Sequence, residues 1–172
     1  MNTRLTLGQF NQATEVDART ALQGCCTSQK WIERMVNARP FADRAALLEA
    51  ASEHWCDLHE TDYLQAFEGH PKIGDVGSLR SKYAATKALA GSEQSGVDSA
   101  SEETLQRLSR GNIDYEDKFG FIFIVCASGK SADEMLGLLE ARLPNDRATE
   151  LHNARVEQAK ITALRLRKLV NE

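Results

Sequence analysis

A histidine beside a proline is the residue of this chain best suited to acid–base chemistry. His70 lies in the turn-rich run EGHPKIGD (68–75), between segments with helical patterns. Pro71 restricts the backbone of His70, and Gly69 and Gly74 permit backbone angles that other residues resist. An imidazole titrates near neutral pH, so a histidine held in this way could donate or accept a proton. The alternative is a helix terminator whose histidine is merely exposed.

Two other polar features could join His70 in a site. Glu93 and Gln94 lie in the polar run SEQSG (92–96), where a carboxylate and an amide stand side by side at an element boundary. Arg165 is flanked by leucines in a helical pattern, and a guanidinium in an apolar patch needs a carboxylate, a carbonyl or a ligand anion. The alternatives are a solvated loop for the pair and an arginine that extends to water at the helix end.

Other motifs are weaker. The run ASGKS (127–131) follows an apolar segment and precedes a helical pattern, but Ile124 stands where a phosphate-binding loop requires glycine. The four cysteines, at 25, 26, 56 and 126, form no C-x-x-C pair, which favours reduced thiols over disulfides or a zinc site. His54 and His59 are five residues apart and do not share a helix face, so no metal site is predicted.

Composition indicates a globular domain. The 172 residues are 42% hydrophobic and 27% charged, with a net charge of −4. The 21 basic residues are scattered, which argues against nucleic-acid binding. No apolar run reaches the roughly 20 residues that span a bilayer, and the first residues have no signal-peptide core. We therefore predict a cytoplasmic protein without a membrane partner.

Helical periodicity runs through most of the chain. It predicts helices over 6–13, from about 15 to 24, from 28 through 36, over 42–58, from 61 through 67, over 79–89, from 99 to 119 with an interruption at Gly111-Asn112, from 131 through 142, and from 147 to about 170. Predicted N-caps are Thr6, Ser28, Thr61, Ser131, and Asn145 or Asp146. In the last helix, an apolar stripe of Val156, Ala159, Ala163, Leu166 and Val170 should pack on other elements.

The apolar run FIFIVC (121–126) indicates burial but does not distinguish a strand from a core helix. No alternating strand pattern, internal repeat or long linker is present. The sequence predicts an all-α protein, with residues 1–172 forming a single compact domain of about eight helices.

Four motifs in order resemble the OHCU decarboxylases of urate degradation. They are GHPKIGD (69–75), SEQSG (92–96), FGFIFIVCASGKS (119–131) and EQAKI (157–161) running into Leu164-Arg165-Leu166. The resemblance covers nearly the whole chain and includes Cys25-Cys26 and RPF (39–41). It implies an all-helical homodimer that converts 2-oxo-4-hydroxy-4-carboxy-5-ureidoimidazoline to (S)-allantoin and CO2 without a cofactor or a metal.

The resemblance also implies roles for individual residues. His70 would transfer the proton, Glu93 would either keep the imidazole protonated or bind the substrate hydroxyl, and Arg165 would contact substrate oxygens. The substrate pocket would be lined by Pro71, Ala90, Gln94, Phe123, Ile124, Val125, Cys126 and Ala127. Ala90 stands where some relatives carry serine, and alanine has no hydroxyl with which to contact the ring.

A non-enzymatic helical binding or assembly module is the alternative function. In that case His70 is a turn residue, Glu93 a solvated charge and Arg165 a surface or dimer contact. The three side chains would then be scattered in space, whereas the enzyme requires them to converge.

Overall fold

Helices dominate the computed structural model, which describes residues 4–70 and 102–171. Within these ranges the helices are α1 Leu7–Gln12, α2 Glu15–Gln23, α3 Gln29–Asn37, α4 Arg44–Glu53, α5 Glu60–Glu68, α6 Glu102–Phe119, α7 Ala132–Arg142 and α8 Arg147–Leu169. Strands β1 (Leu5–Thr6) and β2 (Val170–Asn171) form one short parallel pair. The all-α prediction is confirmed. The helix predicted over 79–89 lies outside the described residues.

The chain divides into two compact units. The first comprises Met1–His70 and Arg155–Glu172, and the second comprises Pro71–Ala154. Helix α8 begins in the second unit and ends in the first. Large buried side chains of the first unit include Phe10, Leu22, Trp31, Ile32, Met35, Leu47, Phe67 and Leu166, and those of the second include Tyr115, Phe119, Ile124 and Leu139. The single domain over 1–172 remains a prediction.

Local capping sets several helix starts as predicted. Thr6 Oγ1 accepts from the Gln9 amide at 3.1 Å, and the Gln9 side chain accepts from the Thr6 amide. Ser131 and Glu134 form the same reciprocal pair at the start of α7. Asp146 accepts from the Thr149 amide ahead of α8. These side chains satisfy amide groups that have no partner within the first turn of a helix.

The region between α4 and α5 differs from the prediction. Helix α4 ends at Glu53 instead of reaching 58, because the next residues bond elsewhere. The Tyr63 hydroxyl donates to the Trp55 carbonyl at 2.7 Å and accepts from the Leu58 amide at 3.2 Å. Helix α5 begins after His59, so the predicted cap at Thr61 is wrong; Asp62 accepts from the His59 amide instead.

Helix α6 continues through Gly111, where an interruption was predicted. A Cβ atom at position 111 would lie 2.5 Å from Leu139 Cδ2 and 3.2 Å from its Cγ. Leu139 belongs to α7 and is fully buried. The glycine therefore allows close packing of α6 against α7 and does not end the helix.

We expect Gly111→Ala to destabilise the protein, because overpacking a core costs about 1–3 kcal/mol and exceeds the helix propensity gained, which is about 1 kcal/mol. Gly137→Ala in α7 is the matched control, since a Cβ atom there meets nothing within 4 Å. That variant should be slightly more stable than the parent. Urea unfolding followed by circular dichroism measures both; equal stability gains in the two variants would contradict the packing argument.

The apolar run 121–126 forms neither a helix nor a strand. Phe121, Ile124 and Cys126 are buried, as predicted for an apolar run. Its irregular backbone is held by side chains of the second unit, described below. Hydrophobicity thus predicted the burial of this segment but not its conformation.

The buried face of α8 is more polar than predicted. Val156, assigned to the apolar stripe, is 41% exposed, whereas Leu166 and Val170 are fully buried as expected. Gln158 and Thr162 lie at the buried positions between Ala154 and Leu166. A buried amide and a buried hydroxyl need hydrogen-bond partners. Gln158 and Thr162 bond to each other, and Gln158 also bonds to His70.

None of the helices in residues 4–70 and 102–171 combines the length and the hydropathy of a membrane-spanning segment.

Candidate active site

His70 directly follows α5, whose C-cap is Gly69. The His70 amide donates to the Phe67 carbonyl at 3.2 Å. Gly69 has a φ of −72°, which any residue can adopt. A side chain at 69 would instead collide with Thr27, whose hydroxyl donates to the Gln65 carbonyl at 3.0 Å. Glycine is therefore required by close approach to Thr27 and not by an unusual backbone angle.

The His70 ring contacts Gln158 of α8. His70 Nε2 lies 2.5 Å from Gln158 Oε1, and Gln158 Nε2 donates to Thr162 Oγ1 at 3.1 Å. Gln158 is fully buried, and Thr162 is 6% exposed. Thr162 also forms a side-chain hydrogen bond with the Cys26 thiol. The imidazole is thus attached to a buried polar chain within the first unit.

Arg165 lies beside the same cluster. Its Nη1 donates to the Cys25 carbonyl at 3.4 Å, although the residue as a whole is exposed. The side chain thus has a carbonyl partner and also reaches solvent. Its positive charge acts on His70 and on both thiols. Arg165 therefore influences the His70 ring through its charge. Glu93, the third residue that the enzyme hypothesis requires to converge with them, lies outside the described residues, so the convergence stays a prediction.

Burial makes the imidazole of His70 a poor cation. Loss of solvent lowers its pKa, the hydrogen bond with Gln158 opposes this effect, and the Arg165 charge lowers the pKa further. The net result is a His70 pKa below the ordinary value. At neutral pH the ring is therefore mainly neutral, with one nitrogen able to donate and the other able to accept.

The two adjacent thiols are poor nucleophiles. Burial raises the pKa of Cys25 to about 12 and that of Cys26 to about 11, although Arg165 opposes both shifts. Thiolates, not thiols, are the reactive form of cysteine. The four cysteines, which all lie within the described ranges, form no disulfide in the structure. Reduced thiols stay a prediction.

The predicted lining segment 123–127 belongs to the second unit. Arg142 Nη1 donates to the Ile124 carbonyl at 2.8 Å, and its guanidinium carbon lies 4.7 Å from the centre of the Phe123 ring. Lys130 Nζ donates to the Cys126 carbonyl at 2.8 Å. Two cationic side chains therefore hold the irregular backbone that contains Val125 and Ala127.

Arg142 is in turn held by Glu150, which is fully buried. Glu150 Oε1 accepts from Arg142 Nε at 2.7 Å and from the Tyr115 hydroxyl at 2.6 Å. Asn145 and Asn153 donate to Oε2 at 2.8 and 2.7 Å. Burial would raise the pKa of Glu150, but these hydrogen bonds outweigh it and keep the pKa below its ordinary value. The ionised carboxylate of Glu150 thus fixes Arg142, which in turn bonds the backbone of segment 123–127.

Four predicted site residues, Pro71, Ala90, Glu93 and Gln94, lie outside the described residues. Gln158 and Thr162 were not predicted as site residues. The available signal was a pair of polar residues four apart on a helix face that otherwise buries Ala154 and Leu166. Such a pair indicates a buried hydrogen-bond chain, but the sequence does not name its partner.

A separate cavity of about 460 Å³ lies in the first unit, between α3, α4 and α8. Trp31, Leu48 and Trp55 contribute much of its apolar wall, and His70 and Arg165 do not line it. Among the described residues, no group of three or more histidine, cysteine, aspartate or glutamate side chains is arranged to hold a metal ion.

A family model and individual relatives of this chain indicate the same protein family. The family model described as OHCU decarboxylase matches residues 11–167. The uric acid degradation bifunctional protein TTL of Arabidopsis thaliana is 35% identical over 148 residues, which are 86% of this chain and 46% of that protein. The 2-oxo-4-hydroxy-4-carboxy-5-ureidoimidazoline decarboxylase of Halalkalicoccus jeotgali is 29% identical over 168 residues, which are 97% of this chain and 93% of that protein.

Solved structures agree. A crystal structure of an OHCU decarboxylase in the presence of (S)-allantoin matches with a TM-score of 0.69 at 37% identity, over 86% of this chain and 94% of that one. This chain spans less than half of the Arabidopsis protein, so the similarity concerns only part of that bifunctional relative. The family model, in contrast, covers most of the present chain and both of its units. The predicted resemblance is confirmed: the chain belongs to the OHCU decarboxylase family, a family of carboxy-lyases.

Proposed function

We propose that this protein converts 2-oxo-4-hydroxy-4-carboxy-5-ureidoimidazoline to (S)-allantoin and CO2 in urate degradation, without a cofactor. Membership of the OHCU decarboxylase family supports the reaction. The observation that carries the assignment of the site is the contact between the half-buried His70 imidazole and Gln158, within reach of the charge of Arg165. The residue proposed for proton transfer thus experiences the charge of the residue proposed for anion binding.

The chemistry of the substrate explains how protein side chains could catalyse the decarboxylation without a cofactor. When the bond to the carboxylate breaks, the electron pair can enter the unsaturated ring, so no external electron acceptor is needed. The protein must orient the ring, stabilise the developing charge and move a proton to one face. His70 is proposed for the proton transfer, and Arg165 for binding substrate oxygens through its planar donor fork.

Glu93 is proposed as the partner of His70 or of the substrate hydroxyl. The remaining proposed lining comprises Pro71, Ala90, Gln94 and the segment 123–127. Backbone N–H and C=O groups suit a ureide ring, which carries many donors and acceptors. We further propose a homodimer that acts in the cytoplasm; sedimentation velocity giving the mass of one chain would contradict the dimer.

The experiment supplies freshly generated substrate to the purified protein and follows the circular dichroism of the product. We expect (S)-allantoin to accumulate faster than in the spontaneous reaction and in a single handedness. A metal chelator should leave the rate unchanged. If the protein does not accelerate the formation of (S)-allantoin, the proposed function is wrong.

A further inference from the structure

We propose that Gln158 is a positioning residue that keeps the hydrogen of the neutral His70 imidazole on Nε2, so that Nδ1 is the nitrogen that exchanges a proton with the substrate. The inference rests on the proposed function for its catalytic meaning. The tautomer itself is a property of the free protein and can be measured without substrate.

The environment of Gln158 restricts what its amide can do. The residue lies in the middle of α8, and its exposure is 0%. Both ends of the amide have protein partners: Oε1 lies 2.5 Å from His70 Nε2, and Nε2 lies 3.1 Å from Thr162 Oγ1. A buried amide that lost either partner would incur a desolvation penalty, so the side chain is held by both.

The order of donors and acceptors then selects the tautomer. With Oε1 facing the ring, Gln158 can only accept, so His70 Nε2 donates in this orientation of the amide. A neutral imidazole has one N–H group, and Nδ1 is therefore left with a lone pair. Thr162 completes the chain, because its hydroxyl accepts from the amide and also bonds with the Cys26 thiol. The reversed amide would present an N–H group to Nε2 and require the other tautomer.

This tautomer defines a proton path that balances. The carbon–carboxylate bond breaks, CO2 leaves, and the electron pair moves into the C=N bond of the ring, whose nitrogen takes one proton from solvent. Nδ1 accepts the proton of the substrate hydroxyl as that oxygen becomes the product carbonyl. The resulting imidazolium then gives a proton from Nδ1 to the ring carbon that must be protonated to form (S)-allantoin. Nε2 keeps its hydrogen throughout, and the amide oxygen stabilises the transient cation. No oxidant or reductant is required.

Nitrogen NMR of the histidine-labelled protein tests the tautomer. Long-range proton–nitrogen correlation distinguishes a protonated Nε2 from a protonated Nδ1, and the spectrum of His70→Gln identifies the His70 signals among the four histidines. We expect Nε2 to carry the hydrogen in the parent protein at neutral pH. A His70 ring protonated on Nδ1 alone would overturn the proposal, whether or not the protein is an active decarboxylase.

Gln158→Met links the tautomer to catalysis, because methionine has a similar shape and no amide. We expect a mixture of His70 tautomers and a fall in kcat of up to about 100-fold, the cost of a misplaced reacting group, with little change in KM. Thr162→Val is a second variant; it removes the hydroxyl that accepts from the amide and bonds with the Cys26 thiol, and it should shift the tautomer ratio in the same direction. Parent-like tautomer and kcat in both variants would overturn the proposal.

Gln106→Met is the matched control. Gln106 is an exposed residue of α6, so the same substitution should alter neither the His70 spectrum nor kcat. If the parent protein itself shows no decarboxylase activity, the proposed function fails while the NMR result still decides the tautomer. The two failures are therefore distinguishable.

Discussion

Replacing His70 by glutamine is expected to lower kcat by about 10²- to 10⁴-fold, the usual contribution of a positioned acid–base group. Glutamine retains an N–H donor near the position of Nε2 but cannot accept and return a proton. The Gln158 contact, 2.5 Å in the parent, can therefore be kept while the titratable group is lost. Stereoselective formation of (S)-allantoin, followed by circular dichroism, measures the effect, and thermal unfolding checks that the variant is folded.

The pH profile gives this prediction a second readout. Because burial and the Arg165 charge lower the pKa of His70, the neutral ring persists to a pH below the ordinary value of about 6.5. We therefore expect kcat/KM of the parent to fall only as the pH drops through that lowered pKa. The remaining activity of His70→Gln should lack this acidic limb.

His152→Gln is the matched control for both measurements. His152 is an exposed histidine of α8, so its replacement should leave rate and pH profile unchanged. A His70→Gln protein that is folded and retains parent-like kcat would show that His70 does not transfer the proton.

Replacing Glu150 by glutamine is expected to lower the free energy of unfolding by about 3–5 kcal/mol, the cost of breaking a buried ion pair from one side. Arg142 would lose a carboxylate at 2.7 Å in a site where its own side chain is 12% exposed. The amide NH2 group would also face donors, either Tyr115 and Arg142 at the position of Oε1 or the two asparagines at the position of Oε2. Burial raises the pKa of Tyr115, so its hydroxyl stays neutral and cannot replace the negative charge that Arg142 loses.

Glu140→Gln provides the comparison, because the Arg107–Glu140 pair has a similar distance of 2.6 Å but is about half exposed. Exposed pairs contribute only about 0–1 kcal/mol. Urea unfolding followed by far-ultraviolet circular dichroism measures the helices, and tryptophan fluorescence reports the first unit, which contains Trp31 and Trp55. Equal destabilisation by the two substitutions would contradict a special role for burial.

Linkage gives the sign of the pH effect. The pKa of Glu150 is lowered in the folded protein, so its contribution to stability is fully present above the unfolded-state pKa. It is lost as the pH falls through the lowered folded-state pKa. The difference in stability between the parent and Glu150→Gln should therefore shrink in acid.

Helix starts were predictable because their causes are local. Thr6 and Ser131 each bond an amide three residues ahead, and the sequence pattern contains both partners of the bond. The end of α4 was not predictable in this way. It depends on Tyr63, whose hydroxyl bonds the Trp55 carbonyl only after α5 has packed.

Two other features of the fold, the continuous helix at Gly111 and the irregular backbone of residues 121–126, could not be predicted from the sequence either. Gly111 has the sequence signature of a helix interruption, but the atom that explains it belongs to Leu139 of α7. Residues 121–126 are apolar enough to predict burial, yet their conformation depends on Arg142, which bonds the Ile124 carbonyl from 18 residues away. Patterns of one segment do not contain the positions of its partners.

By itself the sequence determined the helical class, most helix starts, the family and the residues proposed for the chemistry, because all of these depend on local patterns or ordered motifs. Only the tertiary structure decided that Gln158 meets His70, since 88 residues separate them along the chain. The same holds for the contact of Arg165 with the Cys25 carbonyl, across 140 residues. Hydrogen bonds between distant segments form only when packing brings buried polar groups together, and that packing decides how the imidazole of His70 is held.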